Sequence, residues 1–277
     1  MSPITERTSP PTTADEVAPW GPSGARGAWN AEESGLCRLS NLGVHLLRLY
    51  AIVDRCGEHN TFVDLGVDHG VSSLALALDA ITRHNTVYGV DLSFANLGYD
   101  LRSHPCYHRV RGDSVTVGRR WEGGAVDVLV VDTLHVAPQV LCELHHWYAH
   151  VPVGGYVVLH DTAWPDGRHD LQWHERARAA GVTWPTPDRA VAAFFGLDEQ
   201  FARGKHTGFR YTDDDVEVDH HADSWGMTIV RRRSDRDLRS NINDWATVFE
   251  QRAEVLRTVM TDGARRWFGV DLGPGEP

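Results

Sequence analysis

Two apolar stretches of this sequence each end on an aspartate with a histidine close by. The stretch DVLVVDTLHV contains Asp132 and, three residues later, His135; the stretch GGYVVLHDT contains His160 directly before Asp161. An imidazole with an ordinary pKa of about 6.5 exchanges protons near neutral pH. Carboxylates and imidazoles are also common metal ligands. The pattern therefore predicts proton-transfer or metal chemistry if the fold brings the two stretches together.

The elements that would position these residues alternate between strand-like and helix-like segments. Short apolar runs at 61–66, 86–92, 108–113, 126–132 and 155–161 are separated by stretches of helical character. Continuous apolar strands that alternate with helices predict a parallel sheet covered on both faces. Ligands of such sheets bind at the carboxyl ends of the strands. The strand-ending aspartates are therefore expected along one rim.

The chain divides into three predicted parts. Residues 1–35 are rich in Pro, Ser, Thr and Gly and predict a flexible N-terminal arm. Its Trp20 and Trp29 could pin the arm to the body, or could belong to a lid or a dimer contact. Residues 36–235 predict the main domain. Residues 236–277 predict a helical extension whose apolar stripe packs on the body or on a second copy of the chain.

Composition excludes several classes of protein. The chain has 277 residues and a net charge of -11, which is the wrong sign for a general nucleic-acid binder. Its four cysteines form no CxxC pair, so neither a disulfide framework nor a cysteine zinc site is expected. No apolar run approaches the roughly 20 residues of a membrane span. The N-terminus lacks the apolar core of a secretory signal, which predicts a cytoplasmic protein.

A glycine-containing loop follows the first predicted strand. In VDLGVDHGVSS, Gly66 and Gly70 permit a tight turn and a close approach of a ligand to the backbone. A dinucleotide fingerprint would have a further glycine between them to admit a pyrophosphate. Asp68 stands near that place instead, and a carboxylate repels a phosphate. The loop thus favours a ligand that carries positive charge.

Two further aspartates complete a pattern of ligand contacts. Asp91 ends the second strand, 21 residues after Gly70, where a carboxylate can bind both hydroxyls of a ribose. Asp113 ends the third strand and could reach an adenine amino group. A ribose, an adenine and a cation without phosphate describe S-adenosylmethionine. The predicted cofactor-binding residues are Asp64, Gly66, Asp68, Gly70, Ser72, Asp91, Leu92, Asp113, Ser114 and Asp132.

The run from Phe62 to Asp161 resembles a class I S-adenosylmethionine-dependent methyltransferase. The stretch from Val126 to Thr162 is similar to the branch of metal-dependent macrolide-sugar O-methyltransferases and cephalosporin-hydroxylase-like proteins. The resemblance implies an α/β fold with a Rossmann-like, doubly wound, seven-stranded sheet whose last strand is antiparallel. It also implies a transferase of natural-product or antibiotic biosynthesis that methylates a hydroxyl of a small molecule, with a sugar of a glycosylated metabolite as the acceptor.

The same resemblance assigns roles to the two apolar stretches. It implies a magnesium site at Asp132, His160 and Asp161, and His135 as the catalytic base beside Asp132. Mg²⁺ prefers oxygen ligands. His160 departs from that preference, because imidazole suits softer metals. His160 could therefore orient a substrate, the site could take Mn²⁺ or Fe²⁺, or the metal could have been lost.

Two rival functions stay open at this point. A nicotinamide-dependent oxidoreductase could use the same sheet and Asp91, but it needs phosphate-binding glycines where Asp68 and His69 stand. A methyltransferase-like protein that binds cofactor without turnover is the other. The aromatic residues between Trp164 and Trp184 could stack on an acceptor or form a flap that excludes water. The expected partner is a small-molecule substrate, a second copy of the chain stays open as an alternative, and neither nucleic acid nor a membrane is expected.

Overall fold

The computed structural model describes residues 5–6, 41–165, 175–261, 264–265 and 270. These residues form one mixed sheet of nine strands with helices on both faces. The strands are β1 (Thr5–Glu6), β2 (Thr61–Leu65), β3 (Thr86–Asp91), β4 (Tyr107–Arg111), β5 (Val128–Val131), β6 (Tyr156–His160), β7 (Phe209–Thr212), β8 (Val216–His221) and β9 (Met227–Arg232).

The strand order is β1-β4-β3-β2-β5-β6-β9-β8-β7. The central strands β4, β3, β2, β5 and β6 are parallel, and β9 pairs antiparallel with β6. The expected doubly wound α/β architecture with an antiparallel final strand is confirmed. The register aligns Val131 with Leu159, so Asp132 and His160 leave adjacent strands at the same level.

The predicted count of seven strands is too low because both edges of the sheet are longer than expected. At one edge, β1 pairs antiparallel with β4. At the other, the segment 209–233 forms the three antiparallel strands β7, β8 and β9. Asp213 accepts hydrogen bonds from the backbone N–H groups of Asp215 (2.8 Å) and Val216 (2.7 Å). This turn separates β7 from β8 and shows that the acidic run there closes a hairpin.

Nine α-helices and three short 3₁₀ segments, Asn41–His45, Tyr148–His150 and Leu238–Asn241, join or flank the strands within the described residues. Of the stretch of helical character after the first strand, only Val71–Ala77 is an α-helix, and a further helix covers Ser114–Arg119. The helices are α1 (Leu46–Cys56), α2 (Val71–Ala77), α3 (Tyr99–Ser103), α4 (Ser114–Arg119), α5 (Ala137–Trp147), α6 (Glu175–Ala180), α7 (Pro187–Phe195), α8 (Asp198–Gly204) and α9 (Trp245–Val259).

The core lies in two layers, one on each face of the sheet. Along β5, Val128 and Val130 point to the layer that contains α1 and α2, whereas Leu129 and Val131 point to the layer that contains α5 and α7. Consecutive side chains of a strand face opposite sides, and here both sides are buried. This explains why the central strands read as continuous apolar runs rather than alternating ones.

Helix α9 packs on the body of the domain. It begins after Asp244, whose carboxylate accepts a hydrogen bond from the backbone N–H of Thr247 at 3.0 Å. Val248 and Phe249 of α9 cluster with the buried Cys142 of α5. Within the described residues, no helix combines the length and apolarity that crossing a membrane would require.

Candidate active site

The fold brings together the four residues that the sequence singled out. Asp132, His135, His160 and Asp161, here called the Asp–His cluster, each offer a ligand atom within 4.8 Å of the others. His135 Nε2 lies 3.0 Å from Asp132 Oδ1, and its Nδ1 lies 3.0 Å from Asp161 Oδ2. His160 Nδ1 lies 3.2 Å from an oxygen of each aspartate. The two histidines thus bridge the same two carboxylates.

Adjacent strand ends and one strained residue create this arrangement. Asp132 follows β5, and His160 is the last residue of the neighbouring strand β6. Asp161 has a φ of +57°, a left-handed conformation that is unfavourable for a residue other than glycine. The backbone beyond it is held by the hydrogen bond from Ala163 N–H to the carbonyl of Trp225 at 2.6 Å. The turn lets a carboxylate join the cluster directly after the strand ends.

The charges within the cluster stabilise one another. Burial lowers the pKa of His135, but the opposing influence of Asp161 and Asp132 is stronger, so that the pKa is raised well above its ordinary value. The pKa of His160 is raised in the same way by Asp132 and Asp161 against the effect of burial. Burial raises the pKa of Asp132, but the two histidines hold it below its usual range. The cluster therefore favours cationic imidazoles between anionic carboxylates.

The donor set can be compared with what a metal ion requires. Asp132 and Asp161 supply oxygen ligands of the kind that Mg²⁺ prefers. His135 and His160 supply nitrogen, which suits Mn²⁺, Fe²⁺ or Zn²⁺ better. Asp161 Oδ1 is buried and accepts no well-aligned hydrogen bond, although His160 Nδ1 lies 3.2 Å from it, so this oxygen could still bind a cation. The residues fit a divalent metal of the imidazole-binding class, whereas the complete set does not match Mg²⁺.

The loop between β2 and α2 packs tightly against the strand that carries the cluster. Gly66 has a φ of +86°, and a Cβ atom there would lie 2.0 Å from the backbone oxygen of Asp132. Only glycine fits this position. The group that lies close to Gly66 is the β5 backbone, and the close approach of a ligand expected there stays a prediction.

Asp64 lies under this loop rather than in a ligand cavity. It is completely buried and accepts hydrogen bonds from the hydroxyls of Ser72 at 2.7 Å and Ser73 at 2.5 Å. Burial raises the pKa of Asp64 to about 7. Asp64 lines neither of the two cavities described below, and the direct cofactor contact expected of it stays a prediction. The sequence places the carboxylate at the strand end, but its side chain points inward and anchors the start of α2.

Asp91 is positioned at the rim and fastens the same loop. Its Oδ2 accepts hydrogen bonds from the backbone N–H groups of Val67 at 2.8 Å and Asp68 at 3.0 Å. Its Oδ1 accepts from Ser93 N–H at 2.9 Å. Asp91 also lines a cavity. The carboxylate therefore stands where the predicted ribose contact requires, while it holds the loop in place.

Two cavities open at this edge of the sheet. The smaller cavity, of about 320 Å³, is lined by Asp91, Leu92, Gly112 to Ser114 and the end of α9. The larger cavity, of about 740 Å³, is lined by the loop from Gly66 to Ser72, by α3 and by His135. They share a wall that consists of Gly66, Asp68, Asp132 and Thr133. With the exception of Asp64, every predicted cofactor residue lines at least one of them.

A buried polar network behind the smaller cavity was not anticipated from the sequence. Glu143 of α5 accepts hydrogen bonds from the hydroxyls of Ser114 at 2.5 Å and Thr133 at 2.8 Å. Burial raises the pKa of Glu143 to about 7. Arg252 of α9 joins the network through Gln139 at 2.9 Å. The available signal was that Arg252 interrupts the apolar stripe of α9, where a charge needs a buried partner.

The aromatic region after β6 is only partly described. Trp164 is 9% exposed and stacks on Trp225, with ring centroids 5.0 Å apart. Its ring also lies 6.2 Å from that of His135. Trp173, His169 and His174, which could have contributed to an acceptor platform, lie outside the described residues. In the described part, Trp164 packs beside the Asp–His cluster, and little of its own surface is free to stack on an acceptor.

Comparison with known proteins agrees with this geometry. Residues 63–162 match the family model described as "Methyltransferase domain". This segment therefore resembles a class I methyltransferase domain. The matched segment runs from β2 to the residue after Asp161, so it includes the glycine loop, the wall that the two cavities share and the whole Asp–His cluster. The cofactor indicated by this family is S-adenosylmethionine. No curated protein matches the sequence.

Several solved structures resemble the methyltransferase domain at low identity. The mycinamycin-pathway methyltransferase MycE, solved with Mg, SAH and mycinamycin VI, is 16% identical, with 70% of this chain and 50% of MycE covered and a TM-score of 0.43. An O-methyltransferase family protein from Burkholderia thailandensis is 18% identical over 78% and 61%, with a TM-score of 0.45. The O-methyltransferase NovP is 15% identical over 69% and 80%, with a TM-score of 0.44. This chain thus spans about half the length of MycE, and scores this low do not bear on its substrate.

Proposed function

We propose that this protein is an S-adenosylmethionine-dependent O-methyltransferase that acts on a hydroxyl of a small natural product, with a sugar of a glycosylated metabolite as the acceptor. The observation that carries the proposal is the pair of cavities that meet at Asp132. One has strand-end carboxylates suited to a nucleoside, and the other opens onto His135. A cofactor and an acceptor in these cavities would meet beside the Asp–His cluster.

The smaller cavity supports the choice of cofactor. Asp91 would bind the ribose hydroxyls, and Asp113 and Ser114 would lie beside the adenine. Asp68, which is exposed and belongs to both cavity walls, would favour a positively charged centre and disfavour the pyrophosphate of a nicotinamide dinucleotide. Bound S-adenosylmethionine supplies a methyl group on a sulfonium sulfur, which leaves as a neutral thioether. The acidic lining argues for this cofactor over NADH.

His135 is proposed to accept the proton of the acceptor hydroxyl. Since the two carboxylates favour the imidazolium form of His135, the ring must first release one proton to solvent in order to act as a base. The acceptor oxygen then bonds to the methyl carbon as the carbon–sulfur bond breaks, and the hydroxyl proton passes to the deprotonated ring nitrogen. Because both ring nitrogens of His135 lie 3.0 Å from a carboxylate, one of them must exchange its aspartate for the hydroxyl. Asp161, buried on the Nδ1 side, would hold the ring and stabilise the imidazolium, as a carboxylate does in other catalytic pairs.

Asp132, His160 and Asp161 are proposed to hold a divalent cation, and His160 favours Mn²⁺ or Fe²⁺ over the magnesium expected from the sequence. Calorimetric or thermal-shift titration with MnCl₂ and MgCl₂ tests this without a substrate. We expect a stronger response to Mn²⁺ than to Mg²⁺, and His160→Asp should reverse the preference. His59→Asp, at an exposed site, is the control. An unchanged preference in His160→Asp would contradict this assignment.

The experiment that tests the proposed function is calorimetric titration of S-adenosylmethionine and S-adenosylhomocysteine, combined with turnover assays on a panel of glycosylated natural products. Wild-type protein should bind both cofactors. His135→Gln should keep that binding and lose about 10²- to 10⁴-fold in turnover, the usual contribution of a general base. His59→Gln should match the wild type. Cofactor binding without turnover by the wild type would favour a non-catalytic binding protein, turnover that is indifferent to His135 would refute its role as the base, and binding of NADH alone would favour an oxidoreductase.

A further inference from the structure

Helix α9 lies outside the segment that matches the methyltransferase family, yet it reaches the smaller cavity. Leu256, Val259 and Met260, at its C-terminal end, line that cavity opposite the strand-end residues Asp91 and Asp113. The strand ends supply carboxylates and backbone groups, whereas α9 supplies apolar surface. One wall of the cavity is therefore suited to the polar edge of a planar ligand and the other to its face.

The same helix also sends a charged side chain behind the cavity wall. Arg252 is 4% exposed, and its guanidinium donates a hydrogen bond to Asp113 Oδ1, 139 positions away in the sequence. Its Nε donates to Gln139 Oε1 at 2.9 Å. A buried arginine and aspartate that pair in this way fix each other's orientation, because separating them would leave uncompensated charge.

Asp113 is held from its other side as well. Its Oδ2 accepts hydrogen bonds from Thr116 N–H at 3.0 Å and Thr116 Oγ at 2.7 Å, which caps the N-terminus of α4. An ionised carboxylate has about four acceptor sites. With Thr116 on Oδ2 and Arg252 on Oδ1, about one site is left, and it lies on Oδ1. Asp113 can therefore accept one more donor in a direction that Arg252 fixes.

We propose that α9 is an integral wall of the cofactor site and that Arg252 is a positioning residue, which orients Asp113 so that its remaining acceptor site recognises the exocyclic amino group of adenine. This inference rests on the proposed cofactor. It adds that recognition of the base depends on a helix beyond the family segment. Replacement of Arg252 should thus change which nucleobase is accepted, besides any effect on stability.

The test compares S-adenosylhomocysteine with S-inosylhomocysteine, in which a carbonyl replaces the 6-amino group. Loss of a hydrogen bond to a charged acceptor lowers affinity about 10- to 100-fold, so wild-type protein should prefer the adenosyl ligand by about tenfold or more. In Arg252→Met, the ratio of the two dissociation constants should fall towards one. Arg252→Lys, which keeps one charged donor, should restore part of it. A merely structural loss would weaken both ligands alike.

Arg257→Met is the matched control, because Arg257 lies on the same helix, is 48% exposed and pairs only at the surface with Glu250. It should keep the wild-type ratio. Hydrogen exchange on the wild-type protein needs no variant, and S-adenosylhomocysteine should protect the amides of residues 252–260. If the wild type binds S-adenosylhomocysteine while Arg252→Met keeps full discrimination, or if 252–260 gain no protection, the inference is wrong and the proposed function stands. If the wild type binds neither ligand, the proposed cofactor is wrong, and this inference fails with it.

Discussion

At the scale of single residues, the geometry of the site depends on a few positions with an unusual backbone conformation or a close backbone contact. Asp161 adopts a left-handed backbone conformation, and Gly66 allows the loop after β2 to touch the backbone of β5. The sequence predicted that Asp132, His135, His160 and Asp161 share a rim, because strand-end residues of parallel strands must. It could not predict that both imidazole rings bridge the two carboxylates, because the direction of each side chain depends on the residues that pack around it.

Gly66→Ala isolates the close approach of the loop to Asp132. The new Cβ would lie 2.0 Å from the Asp132 carbonyl oxygen, so the loop or the end of β5 must move. Gly124→Ala is the control, since Gly124 has a similar φ of +82° but nothing within 4 Å of an added Cβ. We expect Gly124→Ala to lower the free energy of unfolding by about 1–2 kcal/mol for the backbone conformation alone.

Gly66→Ala should lower the free energy of unfolding by clearly more than its control, and it should also weaken binding of S-adenosylhomocysteine. Urea denaturation and calorimetry measure the two effects. Equal destabilisation by the two substitutions would show that the loop can move away from β5 at no further cost in free energy, and that the contact with β5 is not required.

At the scale of elements, buried acids hold the loops and helices around the cavities. Asp64 ties β2 to the start of α2 through Ser72 and Ser73, and Glu143 of α5 ties Ser114 of α4 to Thr133. The sequence predicted the strand and the helix on either side of Asp64, but it assigned the carboxylate to the cofactor. A strand-end residue can point either to the rim or under the following loop, and local sequence does not distinguish the two.

The stability of the β2–α2 connection should depend on pH through Asp64. Its folded pKa of about 7 is raised above the ordinary value of 3.8, so the folded state retains a proton that the unfolded state releases. The contribution is complete below about pH 4 and is lost as the pH rises through 7. Relative to wild type, Asp64→Asn should therefore gain stability between pH 4 and 8, by at most about 1.4 kcal/mol per pH unit.

Urea denaturation of both proteins across this pH range measures the difference. Asp68→Asn, which alters an exposed carboxylate on the same loop, serves as the control and should follow the wild type. A difference between wild type and Asp64→Asn that is constant with pH would show that Asp64 is ionised in the folded protein throughout.

At the scale of the whole molecule, long-range polar contacts join the C-terminal part to the sheet. Arg252 connects α9 to the end of β4, and Lys205, the only lysine of the chain, connects α8 to α7 through Asp188. The Lys205 Nζ–Asp188 Oδ2 distance is 3.0 Å, and both side chains are more than 90% buried. Such contacts fix elements that the family segment does not contain.

Lys205→Met should be strongly destabilising because it removes the buried cation of Asp188 and leaves only Arg189, whose exposed side chain lies 3.8 Å from the same oxygen. Breaking a buried ion pair from one side costs about 3–5 kcal/mol, and the double substitution Lys205→Met with Asp188→Asn should recover part of the loss. Arg203→Met removes an exposed pair with Glu199 on the same helix and should change the free energy of unfolding by less than about 1 kcal/mol. Thermal and urea denaturation compare the three variants. A loss in Lys205→Met as small as that in Arg203→Met would refute the buried-pair account.

The sequence by itself determined the parts of this protein that depend on neighbours along the chain. Apolar runs determined the central strands, and strand-end aspartates determined the rim on which ligands are expected to bind. Asp68, together with the absence of a glycine between Gly66 and Gly70, determined that the loop favours a positively charged ligand. Only the tertiary structure decided which of those aspartates face the cavities, how His135 sits between Asp132 and Asp161, and that Arg252 reaches Asp113 from 139 positions away. Because parallel strands end at the same edge of a sheet, residues that the sequence places at strand ends must meet there. Contacts between distant helices depend instead on the packing of the whole core.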